Sequence, residues 1–172
     1  MNKKFLNDYR RYGLSKNLFR IIKNILTIPE ISFLYFYRSN SVLSKILKKR
    51  IMKKYTLEIY SKNIGEGFFI NHPYGITVNP NTVIGKNCNI HKGVTIGQEN
   101  RGKRKGTPTI GNEVWIGTNS VIVGNIKIGN DVLIAPLTYI NFDVPDHSIV
   151  IGNPGKIIHK DHATEEYINR KV

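Results

Sequence analysis

Residues 110–145 read IGNEVW, IGTNSV, IVGNIK, IGNDVL, IAPLTY, INFDVP, with an isoleucine at every sixth position from Ile110 to Ile140. The same frame holds upstream in IGKNCN from Ile84, IHKGVT from Ile90 and IGQENR from Ile96. A period of six fits neither the 3.6-residue turn of an α-helix nor the two-residue alternation of a plain strand. It is the period of a β-helix built from hexapeptides. Each hexapeptide supplies one short strand and one turn, and three complete a triangular coil. The aliphatic residue points into the prism. Glycine and small polar residues occupy the corners, where a Cβ is costly.

Length and composition agree with one such domain plus an appendage. The chain has 172 residues, 40% of them hydrophobic, enough to fill a core. The longest apolar run, Ile28 to Tyr37, is interrupted by Pro29 and Glu30 and is too short to span a bilayer. The opening MNKKFLNDYRRYG lacks the apolar core of a secretory signal. A single cysteine, Cys88, excludes an internal disulfide framework, and the expectation is an intracellular chain. Cys88 stands between Asn87 and Asn89 and reads as a small packing residue. No HxxxH spacing or Cys/His cluster points to a metal site.

The charge is lopsided. Residues 1–60 carry fourteen Lys/Arg against three Asp/Glu, whereas residues 61–172 carry twelve against nine. Leu18, Ile21, Ile22, Ile25 and Ile28 fall at helical spacing. So do Leu43, Ile46, Leu47 and Ile51, ringed by Lys45, Lys48, Lys49, Lys53 and Lys54. The pattern predicts two or three short amphipathic helices leading into the β-helix. Their basic surface is either a solvated outer face or a surface attracted to an anionic membrane. Nucleic-acid binding has no zinc-finger spacing, recognition-helix pattern or RNA-binding aromatic motif behind it. The expected organisation is a helical lead-in over residues 1–57, a β-helix over 58–158 and a tail over 159–172.

Three features interrupt the six-residue frame, and a regular scaffold places its chemistry at interruptions. Ile70 to Val78, INHPYGITV, spans eight residues, so two extra residues bulge near His72. Ile96 to Ile110 spans fourteen, which inserts a glycine-rich basic loop over residues 98–109 with Arg101, Lys103, Arg104 and Lys105. That loop reads either as a solvated excursion or as a flap over a polyanionic ligand. The third is the ending, DVPDHSIVIGNPGKII over residues 143–158, read as a closing strand followed by a helix-like tail from Ala163 to Lys171.

From about Ile64 to Ile158 the chain resembles the hexapeptide-repeat acyltransferases, and within them the serine acetyltransferase-like branch. IGEGFFINHPYGITV, NIHKGVTIG, TPTIGNEVWIGTNSVIVGNIKIG and DVPDHSIVIGNPGKII carry the likeness. The resemblance implies a mainly β fold, a left-handed parallel β-helix with a short α-helical N-terminal region and a short C-terminal tail. It also implies acetyl-CoA as co-substrate and a homotrimer in which His72 of one chain faces loop 98–109 of its neighbour. The lead-in is shorter than the helical domain of a typical serine acetyltransferase and looks more like that of enzymes that O-acetylate surface polysaccharides.

The chemistry implied is attack of an acceptor hydroxyl on a thioester carbonyl. A general base near neutrality removes the proton, and imidazole suits the task. His72 matches the family's catalytic histidine. Glu58, in LEIYSKNIGEG, is the candidate carboxylate to orient it, with Glu66 the alternative. By family match, Gly97, Gly117, Thr118, Ala135 and Pro136 line the pantetheine arm of coenzyme A. Lys156 and Lys160 are placed to meet its phosphates. Asn71, Tyr74, His91, Lys105 and Thr107 are the candidate acceptor-binding residues, whereas His147, His159 and His162 read as surface residues.

Departures from the serine enzymes bear on the acceptor. In those enzymes the position of Asn71 is an aspartate that holds the amino group of serine. The positions of Gly106 and Thr107 are an arginine and a histidine that hold its carboxylate. An uncharged site suits a sugar hydroxyl better than a zwitterion. The expected function is therefore acetyl-CoA-dependent O-acetylation of a sugar hydroxyl in surface-polysaccharide synthesis, in the cytoplasm at the inner face of the membrane. Serine O-acetyltransferase is the alternative, and a non-catalytic β-helix scaffold is a second one.

Overall fold

A computed structural model describes residues 1–172. Four helices come first: α1 (Lys3–Arg11), α2 (Leu18–Thr27), α3 (Pro29–Arg38) and α4 (Val42–Tyr55). Asn2, Asn17 and Ser41 cap α1, α2 and α4 by accepting backbone N–H bonds through their side chains, and Pro29 opens α3. Thr56, in a left-handed conformation, ends α4. The sequence predicted two or three helices. It located α2 and α4 but neither α3 nor α1, whose buried side Phe5, Asp8, Tyr9 and Arg11 mixes apolar with charged residues.

Fifteen strands follow. The first coil of the prism is β1 (Glu58–Ile59), β2 (Asn63–Ile64) and β3 (Phe69–Asn71). The second is β4 (Thr77–Val78), β5 (Val83–Ile84) and β6 (Asn89–His91). The third is β7 (Thr95–Gly97), β8 (Thr109–Ile110) and β9 (Val114–Ile116). The fourth is β10 (Val121–Val123), β11 (Lys127–Ile128) and β12 (Val132–Ile134). The fifth holds β13 (Tyr139–Ile140), a bridge at Val144 and β14 (Ser148–Ile151). β15 (Lys156–His159) then turns back antiparallel on β14.

Like strands stack in parallel into three faces. Sheet A runs β1-β4-β7-β10-β13, sheet B runs β2-β5-β8-β11, and sheet C runs β3-β6-β9-β12-β14-β15. The inward residues form three aliphatic columns: Ile59, Val78, Ile96, Ile122 and Ile140; Ile64, Ile84, Ile110, Ile128 and Val144; Ile70, Ile90, Ile116, Ile134 and Val150. None of these is more than 3% exposed. The six-residue isoleucine frame is thus the core of a parallel β-solenoid.

The glycine after the isoleucine has a steric reason. A Cβ on Gly85 would lie 2.4 Å from the Gly111 carbonyl oxygen, and one on Gly111 would lie 2.4 Å from that of Gly129. Successive coils therefore touch backbone to backbone at the B/C edge. An asparagine ladder reinforces that edge. Asn112 Oδ1 accepts from Lys86 N, Asn130 Oδ1 from Asn112 N, and Asp146 Oδ1 from Asn130 N, all at 2.7–2.8 Å.

A buried ion pair docks the helices on the first coil. Arg38 donates to both Asp8 carboxylate oxygens and to the carbonyls of Ile64 and Gly65. Asp8 also accepts from Phe68 N. Burial pushes the Asp8 carboxyl up, and the Arg38 hydrogen bond only partly offsets it.

The tail departs from expectation. Residues 161–167 form consecutive turns and the chain beyond them is irregular, not a helix, and this tail straps the outer side of sheet C. Asp131 holds the upper end by accepting from Ala163 N, Thr164 N and Thr164 Oγ1 at 2.7–3.0 Å. Asn89 donates to the Tyr167 carbonyl, Arg11 Nε donates to the Asn169 carbonyl at 2.7 Å, and Asn87 pairs with Val172. A repeat-based reading cannot find this strap, because its partners lie 32 to 158 residues away.

Candidate active site

His72 stands at the turn from β3 to β4, on the edge between sheets C and A. The two extra residues in the frame form this turn. His72 takes a left-handed φ of 56°, its carbonyl accepts from Tyr74 N at 2.8 Å, and Gly75 follows at φ 63°. The His72 ring is exposed and makes no side-chain hydrogen bond. Both ring nitrogens are therefore free to serve a ligand.

The same edge continues through the later coils. Gly93 N donates to the Tyr74 carbonyl, Asn119 N to that of Lys92, and Leu137 N to that of Thr118. Gly117, Thr118, Ala135 and Pro136 consequently stack in the column that His72 begins. A Cβ on Gly117 would lie 2.6 Å from Pro136 N, so this corner is closed to side chains.

Beside this edge, the outer side of sheet C carries Phe69, Asn89, Trp115, Leu133 and Ile149 in register. The strap turns it into two cavities. One, of about 320 Å³, is lined by Asn71, His91, Phe69, Tyr12, Trp115 and Tyr167 among others. The second, of about 510 Å³, is walled by Leu133, Ala135, Pro136, Ile149 and Ile151, with Lys160 and Glu166 also lining it. Trp115 and Tyr167, edge to face at 5.1 Å, border both. This mostly apolar trough, with Lys160 and Glu166 as its charged lining residues, suits a long ligand with a largely apolar surface. The sequence reading missed Trp115, Tyr167 and Tyr12. Trp115 lies in register with Asn89, but the intervening loop hides that register from a count of six.

His91 is more buried than an outward strand residue should be. Its ring packs on Trp115 at 4.5 Å, and Nδ1 meets the Ile116 carbonyl at 2.9 Å. A carbonyl only accepts, so Nδ1 carries the proton and Nε2 is left as an acceptor. Burial lowers the His91 pKa, with His72 adding to the effect against the Ile116 hydrogen bond. His91 is therefore neutral at pH 7, and it faces Asn71 across the β3–β6 register.

The remaining candidates are distributed as follows. Glu58 is exposed at the start of β1, where its N–H donates to the Ile76 carbonyl just after the His72 turn. No hydrogen bond joins its carboxylate to the His72 ring within one chain. Glu66 lies on the B/C edge, engaged by Lys86 Nζ and Asn7 Nδ2 at 2.9 Å each. Tyr74 is exposed at the His72 turn and meets Tyr55 edge to face. Lys156 is exposed on β15, outside the two cavities. Cys88 is buried and its thiol is pushed up to about 12 by that burial, which makes it unreactive.

Gly97, Lys105 and Thr107 lie elsewhere. Loop 98–109 leaves the prism at the A/B edge as a small hairpin, closed by reciprocal Glu99 and Gly106 backbone bonds at 2.9 and 3.0 Å. Arg104 O accepts from Asn125 N, which seats the hairpin on the next coil. Sheet A separates this edge from His72 in the same chain.

The solenoid and the presented histidine define a class, a hexapeptide-repeat protein with one edge bearing an inserted loop and another bearing an exposed histidine. Residues 107–141 match the family model "Bacterial transferase hexapeptide (six repeats)". The chain is 38% identical over 98 residues to serine acetyltransferase of Helicobacter pylori strain 26695, covering 57% of each protein. The structure superposes on that of Neisseria gonorrhoeae serine acetyltransferase with a TM-score of 0.71 at 25% identity, covering 92% of this chain and 66% of that one. It also matches the fold of Brucella abortus serine acetyltransferase solved with coenzyme A, with a TM-score of 0.70 at 22% identity, covering 92% and 66%. The chain spans between 34% and 59% of the length of the curated relatives it matches. Residues 107–141 thus carry the hexapeptide transferase repeat, and the chain is similar to serine acetyltransferases over part of their length.

Proposed function

We propose that this chain transfers an acetyl group from acetyl-CoA to an acceptor hydroxyl, with His72 as general base. The observation that carries the reading is the exposed His72 at a left-handed turn, heading the corner column of Gly117, Thr118, Ala135 and Pro136. Acetyl-CoA, when bound, supplies an activated thioester. Ala135, Pro136 and Lys160 would hold it along the apolar trough, with backbone at Gly117 and Thr118 beside it. His72 takes the proton from the attacking hydroxyl as the new ester bond forms, and the resulting imidazolium returns it to the departing sulfur. Neutral His91 adds no positive charge beside the base. The trough lies beside the edge that carries His72 and the basic hairpin lies on another edge, which supports a site completed by a second copy.

For the acceptor, the names of the relatives favour serine over the sugar hydroxyl that the sequence reading put first. One feature still speaks for a sugar. The cavity lined by Asn71 has aromatic walls, the neutral amides of Asn71, Asn89 and Asn169 and the guanidiniums of Arg11 and Arg170, but no carboxylate to meet an ammonium. Thiol release from acetyl-CoA across an acceptor panel decides between them. Saturable turnover of L-serine at submillimolar concentration supports serine. Turnover confined to sugars or oligosaccharides supports the second reading, and release with no acceptor in the panel argues against transfer.

A further inference from the structure

The helical lead-in has used its packing face and still shows a second apolar face to solvent. Ile21 and Ile25 of α2 are buried, yet Phe19 and Leu26 are each 77% exposed and Leu18 and Ile22 stand out beside them. Positions 18, 19, 22 and 26 share one side of a helix at the three- and four-residue spacing. The first turns of α4 repeat the pattern with exposed Val42, Leu43 and Ile46. Both helices pack on α3, and Leu26, Ile51 and Lys54 line one groove, so the ends of α2 and α4 lie side by side.

The surround is cationic. Lys16, Arg20 and Lys23 flank the α2 stripe, and Lys45, Lys49, Arg50 and Lys53 continue that of α4. Only three acids occur before residue 61. Asp8 is buried against Arg38, which leaves Glu30 and Glu58. No helix of the structure is long and apolar enough to cross a membrane. A large apolar stripe with a cationic rim on a short helix is the composition that lies in a bilayer interface, its rim drawn to anionic headgroups.

We propose that this face docks on the surface of an anionic membrane, with Phe19 and Leu26 entering the apolar layer and the lysine rim on the headgroups. A second copy of the chain is a poorer occupant, because it would bring two like-charged rims together. The proposal stands apart from the transferase reading.

The test uses the full chain and sedimentation with vesicles of phosphatidylcholine, with and without phosphatidylglycerol. We expect binding to the anionic vesicles that weakens as salt is raised. The variant Phe19→Glu/Leu26→Glu changes only exposed side chains, so its circular dichroism should match wild type. Its partitioning should fall by about tenfold or more, since both inserting groups become charged. Absent binding of the wild type to anionic vesicles overturns the proposal, as does equal binding of the variant. A wild-type oligomer that the same variant dissociates, without vesicle binding, assigns the face to self-association instead.

Discussion

His72 combines an unusual backbone with an exposed ring, and the two are separable. Left-handed φ is tolerated by asparagine better than by most residues, so His72→Asn should keep the turn while removing the base. We expect turnover to fall about 10²–10⁴-fold, the usual range for loss of a general base, with an unchanged melting temperature. Single-turnover transfer near the wild-type rate would take His72 out of the mechanism. Position 72 was legible in the sequence because an eight-residue step breaks a six-residue frame. The state of His91 was not, because its proton is fixed by a carbonyl 25 residues away and its burial by Trp115. Cys88 gives a further check at this scale. With its thiol pushed up to about 12, iodoacetamide at pH 8 should leave the native protein unmodified and label it once unfolded.

Among elements, the strap is held at a clasp that titrates. Burial pushes the Asp131 carboxyl up, but hydrogen bonds from Thr164, His147 and Ala163 outweigh it and hold its pKa below the usual 3.8. The hydrogen bond to Asp131 in turn raises His147 above 6.5. The Asp131 contribution is present above its unfolded value and lost as pH falls through the lower folded one. The His147 contribution is fully present below 6.5 and lost as pH rises through the higher folded one. The clasp is thus tightest in mildly acid solution and loosens toward alkaline pH. Trp115, the single tryptophan, reports on it through contact with Tyr167. Its emission should move from pH 6 to pH 9 toward that of Asp131→Asn, and the movement should vanish in His147→Gln. A pH-independent emission in the wild type would show that His147 does not hold the strap. The helices depend on a different contact. Asp8→Ala leaves the Arg38 guanidinium buried without its carboxylate and should cost about 3–5 kcal/mol by denaturant unfolding. A loss below about 1 kcal/mol, the range of exposed pairs, would mean that the pair is dispensable.

For the whole molecule, the decisive fact is that His72, the proposed base, and the hairpin lie on opposite borders of sheet A. A trimer that sets the A/B edge of one copy against the C/A edge of the next would complete the site three times. Light scattering should then give three chains per particle. A stronger check mixes two inactive variants, His72→Asn and a deletion of residues 99–106, under conditions that exchange subunits. Activity should reappear at borders that join an intact His72 to an intact hairpin. Persistent inactivity of verified mixed particles, or full activity of a monomer, would contradict the shared site.

Sequence alone determined the solenoid, because its period follows from local sterics. An aliphatic residue must face the axis once per strand, and a glycine must sit where coils touch. The same regularity exposed the bulge at His72 and the inserted loop. Tertiary structure decided what repetition does not encode. It showed which prism edge each interruption occupies, since an edge is fixed only when three strands close a coil. It also revealed the strap that turns the flat side of sheet C into two cavities, through contacts that span most of the chain. It likewise separated the packed side of each helix from the exposed one. Helical spacing marks both sides of α2 as apolar, and only docking on α3 removes one of them from water.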